Sequence, residues 1–323
     1  MIDIIPFFML PVAFVLMFLG VQVAFSMMIT AVLFGLYIFG DRVIFQFIEK
    51  IEDISSNFVF AAIPLFVFMG AILEKSGIAD KLFEAIHIWT RRLPGGLALA
   101  TVIMCIIFAA SSGVIGATES VVGLLTIPIM LRYKYDKAMI SGTICAGGSL
   151  GTIIPPSVVA VVIGPLANVS VGDLLYGMVF PGLIMAGLYL VYIFTLCLIK
   201  PEYGPRIPPE PGDPSFTEKI WISTKNLVPP LLMIVAVLGS ILFGLASPTE
   251  AAAIGAISSV LLTVLYKNFT WKGLYDALLK TVLITAMIMA VLLAGSLFTG
   301  VFIGGGGINT ANILINQMQL SPW

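Results

Sequence analysis

An all-α, polytopic membrane protein is predicted by three features of this 323-residue chain. Hydrophobic residues make up 59% of it and charged residues only 10%, where a soluble domain carries about 25% charged residues. The mean hydropathy is +1.10, which leaves too little polar surface for a water-facing shell. Apolar runs near the roughly 20 residues needed for one bilayer crossing recur along the chain, separated by short charged or amphipathic pieces. The formal net charge of −1 and the absence of a basic cluster argue against nucleic-acid binding. Cys105, Cys145 and Cys197 lie singly in apolar surroundings, without the paired spacing of a metal site or disulfide framework. The one histidine, His87, lacks partners for a metal site or a catalytic triad, so no cofactor is expected. The opening MIDIIPFFMLP has no basic n-region and no small-residue cleavage pattern. It reads as the start of a first membrane helix rather than a cleaved signal.

Residues 5–39 are continuously apolar, with Gly20 and Gln22 near the middle, and form either two short helices or one long broken one. Residues 41–58 place Val43, Ile44, Phe47, Ile51 and Ile54 on one helical face and most of their charges off it, as in a helix lying flat at the interface. After the apolar run 59–73, a second amphipathic stretch at 78–93 carries Ile78, Leu82, Phe83, Ile86 and Trp89 on one stripe. Arg91 and Arg92 close it, where cations complement a helix C-terminus. An ordinary loop helix between crossings would carry the same two patterns. Residues 95–110 read as a crossing.

The stretch from Phe108 to Ser157 differs in kind. It is apolar enough to enter a bilayer, yet it is interrupted twice. The first interruption is Ser111-Ser112-Gly113 with Gly116, Thr118, Glu119 and Ser120. The second is Gly147-Gly148-Ser149, Gly151-Thr152 and Pro155-Pro156. Non-helical backbone at membrane depth survives only where protein covers it or where it lines a wet cavity, so broken helices read as places that hold a solute or ion. Close packing of helices through small residues is the alternative for either interruption alone. A re-entrant hairpin over 111–131 and a broken helix over 138–164, unwound around Gly147–Pro156, account for length and composition together. Between them Arg132-Tyr133-Lys134-Tyr135-Asp136-Lys137 is a short basic loop, which favours the cytoplasmic side. Glu119, ionisable within an apolar segment, is a functional candidate by default. It could bind a cation, sit protonated, or lie at the hairpin tip in an aqueous vestibule.

Residues 174–199 form the cleanest span of the first half. Residues 200–216 are rich in proline and charge and read as a semi-rigid linker. Crossings follow at 227–246 and 249–267, then an interfacial piece at 268–280 and a further crossing at 281–303. Glu250, in Ser-Pro-Thr-Glu, reads as a structural helix-start residue. The order of spans at 5–73 recurs weakly at 227–303, the faint symmetry of transporters built from internal repeats. The expected division is a first repeat at 1–199, a linker at 200–226 and an incomplete second repeat at 227–323.

Five runs together carry a family resemblance: IPLFVFMGAILEKSGIADKLF at 63–83, FAASSGVIGATESVVGLLTIPIML at 108–131, GTICAGGSLGTIIPPS at 142–157, VSVGDLLYGMVFPGL at 169–183 and ASPTEAAAIGAI at 246–257. They fall in the family's order between residues 63 and 257, and on them the chain resembles the large membrane subunit of tripartite ATP-independent periplasmic (TRAP) transporters. The resemblance implies a sodium-coupled secondary transporter of elevator type in the bacterial inner membrane. It implies organic acid substrates, a periplasmic substrate-binding protein and a small membrane subunit as partners. Ser112-Gly113 match the family's hairpin motif and Gly148 through Pro156 its broken helix. On these matches sodium is expected at Ser112, Gly113, Gly148 and Ser149, with Gly151, Thr152, Pro155 and Pro156 beside them. Ser111, Thr118, Glu119 and Gly147, taken from the interruptions themselves, complete the expected ion and substrate site. The chain departs from the family's common hairpin pattern at Val114 and Thr118, where many members carry a second serine and an aspartate. Family members also continue through a second hairpin and a second broken helix, so this polypeptide alone is expected not to transport. A self-sufficient sodium–carboxylate symporter of related architecture is the alternative. An intramembrane hydrolase using Ser111 or Ser112 would need a base, and only Glu119 is near in sequence.

Overall fold

The computed structural model describes residues 5–113, 115–207 and 215–317, with the side chains at 112, 115, 117, 314, 316 and 317 outside that description. Among the described residues all regular structure is helical. After a short 3₁₀ turn at Ile5–Phe8 come α1 (Met9–Phe18), α2 (Val23–Phe39), α3 (Val43–Ser56), α4 (Ala62–Lys75), α5 (Ile78–Thr90), α6 (Gly96–Ser112) and α7 (Ile115–Arg132). The second half holds α8 (Lys137–Ile153), α9 (Val158–Ala167), α10 (Val171–Ile199), α11 (Phe216–Leu242), α12 (Pro248–Leu265), α13 (Trp271–Gly304) and α14 (Gly307–Gln317). Among the described residues six helical segments are long and apolar enough to cross a bilayer, or seven if the bent pair α8–α9 counts as one. The protein is a multi-pass membrane protein.

The chain forms two compact units, one of residues 1–58 and 284–323, the other of residues 59–283. In the first, α1 and α2 are separate helices divided at Leu19–Gln22, which settles the reading of residues 5–39. Met9, Ala13, Ala31, Val43, Leu297, Phe298 and Val301 make its core. Gly35 permits the close fit: a methyl there would lie 2.6 Å from Val43 Cγ2 and 3.2 Å from Val301 Cγ2. Of α3's apolar stripe only Val43 is buried, while Ile44 and Ile51 remain uncovered, the arrangement an interfacial helix needs.

In the second unit α4 packs along α12, brought close by Gly255, where a methyl would sit 2.5 Å from Met69 Sδ. The amphipathic stripe of α5 turns toward protein: Ile78, Leu82, Phe83 and Ile86 are buried, and α5 packs on α6 and α11. Its Trp89 stays largely exposed and donates its indole N–H to Ser223 Oγ of α11 at 2.7 Å.

Two expected boundaries move. Residues 216–226, placed in the linker by composition, are the first turns of α11. Ser215 and Glu218 cap them reciprocally, the Ser215 amide donating to Glu218 Oε2 at 2.7 Å, and this satisfies donors that a helix start otherwise leaves open. Residues 268–280 and 281–303, read as an interfacial piece and a crossing, are one continuous helix from Trp271. Neither glycine nor proline occurs between Gly273 and Gly295 to stop it, and the charge of Lys280 is met by an ion pair with Glu74 of α4.

The described part of the proline-rich stretch is tied down rather than free. Gly95 and Asp136 donate their amides to the carbonyls of Gly204 (3.0 Å) and Tyr203 (3.2 Å), and Ile207 donates to Arg91 (3.2 Å). Beside them the Tyr135 hydroxyl accepts the Leu97 amide at 3.2 Å. Burial pushes that phenol up to about 12, so it stays neutral throughout the physiological range. Residues 208–214 lie outside the described residues.

Candidate functional site

The first interruption is much smaller than its composition suggests. Serine and threonine hydroxyls satisfy themselves by donating back to carbonyls three or four residues earlier, so they do not by themselves open a helix. Ser111 Oγ lies 2.9 Å from the Phe108 carbonyl and 3.1 Å from that of Ile107, and Ser120 Oγ donates to Gly116 at 2.7 Å. Helix α6 therefore runs through Ser112 and stops at Gly113, whose φ of +62° is the left-handed cap that glycine adopts without strain. Helix α7 resumes at Ile115 and packs back on α6. Helices α6 and α7 thus form an antiparallel-type pair joined at Gly113, with residues 96–112 as one member. Neither helix is among the segments long and apolar enough to span. Val114 lies outside the described residues, as does the side chain of Ser112.

The second interruption is also narrower. Gly147, Gly148, Ser149, Gly151 and Thr152 lie within the intact helix α8, which corrects the expectation of a helix unwound from Gly147 onward. The break covers only Ile154–Ser157, and α9 leaves it bent by 41°. Proline supplies the cause, since Pro155 and Pro156 carry no N–H to donate four residues back. The carbonyls of Gly151 and Thr152 therefore lose their helical partners. Ser157 Oγ replaces one of them, donating to the Thr152 carbonyl at 2.9 Å.

The glycines of α8 have a different task, which is close approach. A methyl on Gly147 would lie 2.5 Å from Cys105 Sγ of α6, and one on Gly148 would overlap Glu119 Cγ of α7. Glu119, half-buried, thus lies on the backbone of α8 at Gly148. Thr118 beside it is fully buried. Ser149 Oγ donates to the Ala146 carbonyl at 2.7 Å and lies 3.5 Å from the Tyr189 hydroxyl of α10; Thr152 Oγ1 donates to the Ser149 carbonyl at 3.0 Å.

The two breaks meet. A methyl built on Gly113 would sit 2.9 Å from the Pro156 carbonyl oxygen and 3.3 Å from the Val158 amide nitrogen. Four helix ends gather there, the C-termini of α6 and α8 and the N-termini of α7 and α9. C-termini present unpaired carbonyls and partial negative charge; N-termini present unpaired amides and partial positive charge. One place can therefore offer oxygen ligands to a cation and N–H donors to a carboxylate. Gly113, Gly151, Thr152, Pro155 and Pro156 stand at this junction, and Ser111 lies half a turn from it with its hydroxyl hydrogen turned back into α6. Gly148 and Ser149 stand about a turn away, with their carbonyls committed to the helix. Gly147 and Glu119 belong to the packing contact between α6, α7 and α8. Ser157 was not expected as a site residue, although its position directly after two prolines marks it as the hydroxyl nearest an orphaned carbonyl. The pairing of Glu119 with Gly148 had no local signal, because it joins residues 29 positions apart.

The sequence pattern of the family described as "Tripartite ATP-independent periplasmic transporter, DctM component" matches residues 10–323. The C4-dicarboxylate TRAP transporter large permease protein DctM of Pseudomonas aeruginosa is 32% identical over 276 residues, which are 85% of this chain and 63% of that protein. The isethionate TRAP transporter permease protein DctMQ of Oleidesulfovibrio alaskensis is 30% identical over 246 residues, covering 75% of this chain and 37% of that protein. The sialic acid TRAP transporter large permease protein SiaM of Vibrio cholerae is 28% identical over 284 residues, 88% of this chain and 65% of that protein. The chain spans less than two thirds of the length of each of these relatives.

Proposed function

The chain belongs to the DctM-component family of tripartite ATP-independent periplasmic transporters, a family of permeases rather than enzymes, and on that premise we propose that it forms part of the permease subunit of a secondary active uptake system for small organic acids. The observation that carries the reading is the meeting of the Gly113 and Pro156 breaks, which gathers amide and carbonyl ends of four helices in one place. A coupling sodium ion would be held by backbone carbonyls of the α6 terminus at Ser112–Gly113 and of the α8 terminus at Gly151–Thr152, with the Ser149 and Thr152 hydroxyls nearby. Gly148, with its carbonyl already bonded within α8, serves by admitting Glu119 rather than as a ligand. The substrate carboxylate would be met by the amide ends of α7 and α9.

The hairpin and the bent α8–α9 pair would move together as the carrying element of an elevator, within the inverted-repeat plan of 1–199 and 227–323. The membrane would be the bacterial inner membrane, with a small membrane subunit and a periplasmic binding protein as partners. The names of the relatives (C4-dicarboxylate, isethionate, sialic acid) share an acidic substrate, which supports the substrate class. The test is reconstitution of the permease carrying these residues with its small subunit in proteoliposomes. Labelled organic acid should accumulate only with an inward sodium gradient and added binding protein. Accumulation without the binding protein would instead favour the self-sufficient symporter, and indifference to sodium would remove the coupling ion.

A further inference from the structure

A cavity of about 320 Å³ lies between α8 and α10, lined by Met139, Thr143, Tyr189, Tyr192, Ile193 and Tyr203 among others. It sits at the end of the bundle where α8 begins and α10 finishes, and where the Tyr203 carbonyl takes the Asp136 amide. Its walls are hydrocarbon and aromatic rings, so a hydrated carboxylate would lose its solvation there without compensation. Ala138, Gly142 and Tyr192 are exposed, leaving the slot open on its outer side. The volume equals that of roughly ten water molecules in the liquid, room for part of one extended acyl chain and too little for a whole lipid.

The two chain segments that flank the lining are rich in basic residues. Residues 132–137 and 200–206 bring Arg132, Lys134, Lys137, Lys200 and Arg206 against Asp136 and Glu202. Asp136 is already committed, its Oδ1 accepting the Ala138 and Met139 amides at 2.9 and 3.1 Å. Lys137 directly precedes the lining residue Ala138, and the Lys200 ammonium lies 5.5 Å from the ring centre of Tyr203, itself part of the lining. Basic residues next to an apolar, tyrosine-lined slot between membrane helices are the chemistry that recognises an anionic lipid.

We propose that this slot holds one acyl chain of an anionic phospholipid whose phosphate rests on Lys137 and Lys200. The inner end of the slot, at Ala146 and Tyr189, reaches Ser149, while Lys137 and Lys200 lie toward its opposite end, and the proposal does not depend on what the protein transports. The full chain, purified in mild detergent and placed in nanodiscs of phosphatidylglycerol or phosphatidylcholine, is read by native mass spectrometry and by its thermal unfolding midpoint. The expected result is one retained phosphatidylglycerol per chain and a higher midpoint in phosphatidylglycerol. Lys137→Gln combined with Lys200→Gln should lower that retention at least fivefold and leave phosphatidylcholine unaffected. Gly142→Leu fills the slot from a position where an added Cβ meets nothing within 4 Å, and should abolish retention of either lipid. Ala146→Leu tests the same point should Gly142→Leu fail to fold. Equal retention of the two lipids by the wild type, or undiminished retention in a folded slot-filling variant, overturns the proposal.

Discussion

Two glycine-bearing regions of this protein look alike in sequence and behave oppositely. Gly147-Gly148 with Gly151 stays helical to the end, whereas Gly113 stops one helix and Ile154–Ser157 parts another. Glycine in a helix interior costs about 1 kcal/mol relative to alanine, too little to break a helix that packing supports. What breaks it is a lost donor, as at Pro155-Pro156, or a left-handed residue, as at Gly113. In α8 the glycines instead bring backbone within reach of Cys105 and Glu119, a close approach well suited to membrane interiors, where small residues let helices pack. Polar and small composition marks a special place, and whether that place is a break or a contact depends on the partner across the gap.

The strongest way to break this comparison is at Gly113. Gly113→Val combines a disfavoured left-handed backbone with a side chain forced against the Pro156 carbonyl. It should cost roughly 2–5 kcal/mol and separate the two breaks, measured by unfolding in detergent and by spin-label distances between α6 and α9. An unchanged stability would mean that the breaks do not touch.

Next comes the proline pair. Replacing Pro155 and Pro156 together by alanine restores the donors for Gly151 and Thr152. It should straighten the 41° bend, read by labels at the two ends of the α8–α9 segment. A persistent bend would show that tertiary contacts, not the missing N–H groups, set the break.

A smaller effect is expected at the contact. Gly148→Ala should destabilise by about 1–3 kcal/mol through overpacking against Glu119, and pairing it with Glu119→Ala should recover most of that loss in a double-mutant cycle. Additive losses would remove the contact as the reason for the glycine. The smallest effect has the opposite sign. Gly187→Ala in α10, with nothing within 4 Å of an added Cβ, should leave unfolding unchanged or raise its free energy by up to about 1 kcal/mol.

Much was legible before any coordinates. The apolar spans and the location of both interruptions follow from hydropathy and from glycine, proline and hydroxyl placement, because bilayer thickness and backbone hydrogen bonding act locally along the chain; that Gly96–Ser112 pairs with Ile115–Arg132 does not. Glu250 reads correctly as a cap for the same reason: Ser247 and Glu250 are three residues apart, and the Ser247 amide and hydroxyl both donate to Glu250 Oε2. The length of each break was less legible. Ser111, Ser120, Ser149 and Thr152 turn their hydroxyls back onto their own helices, an outcome that composition cannot separate from a true unwinding.

By itself, then, the sequence determined an all-helical membrane chain, the neighbourhoods of its two interruptions and the proline residues that make one of them. Only the tertiary structure decided that Gly113 comes to rest against Pro156, that Gly148 receives Glu119, and that Gly204 seats the proline-rich stretch against Gly95. Each of these joins residues distant along the chain through the shape of their surfaces. A one-dimensional pattern records which groups need a partner, whereas packing in three dimensions selects the partner.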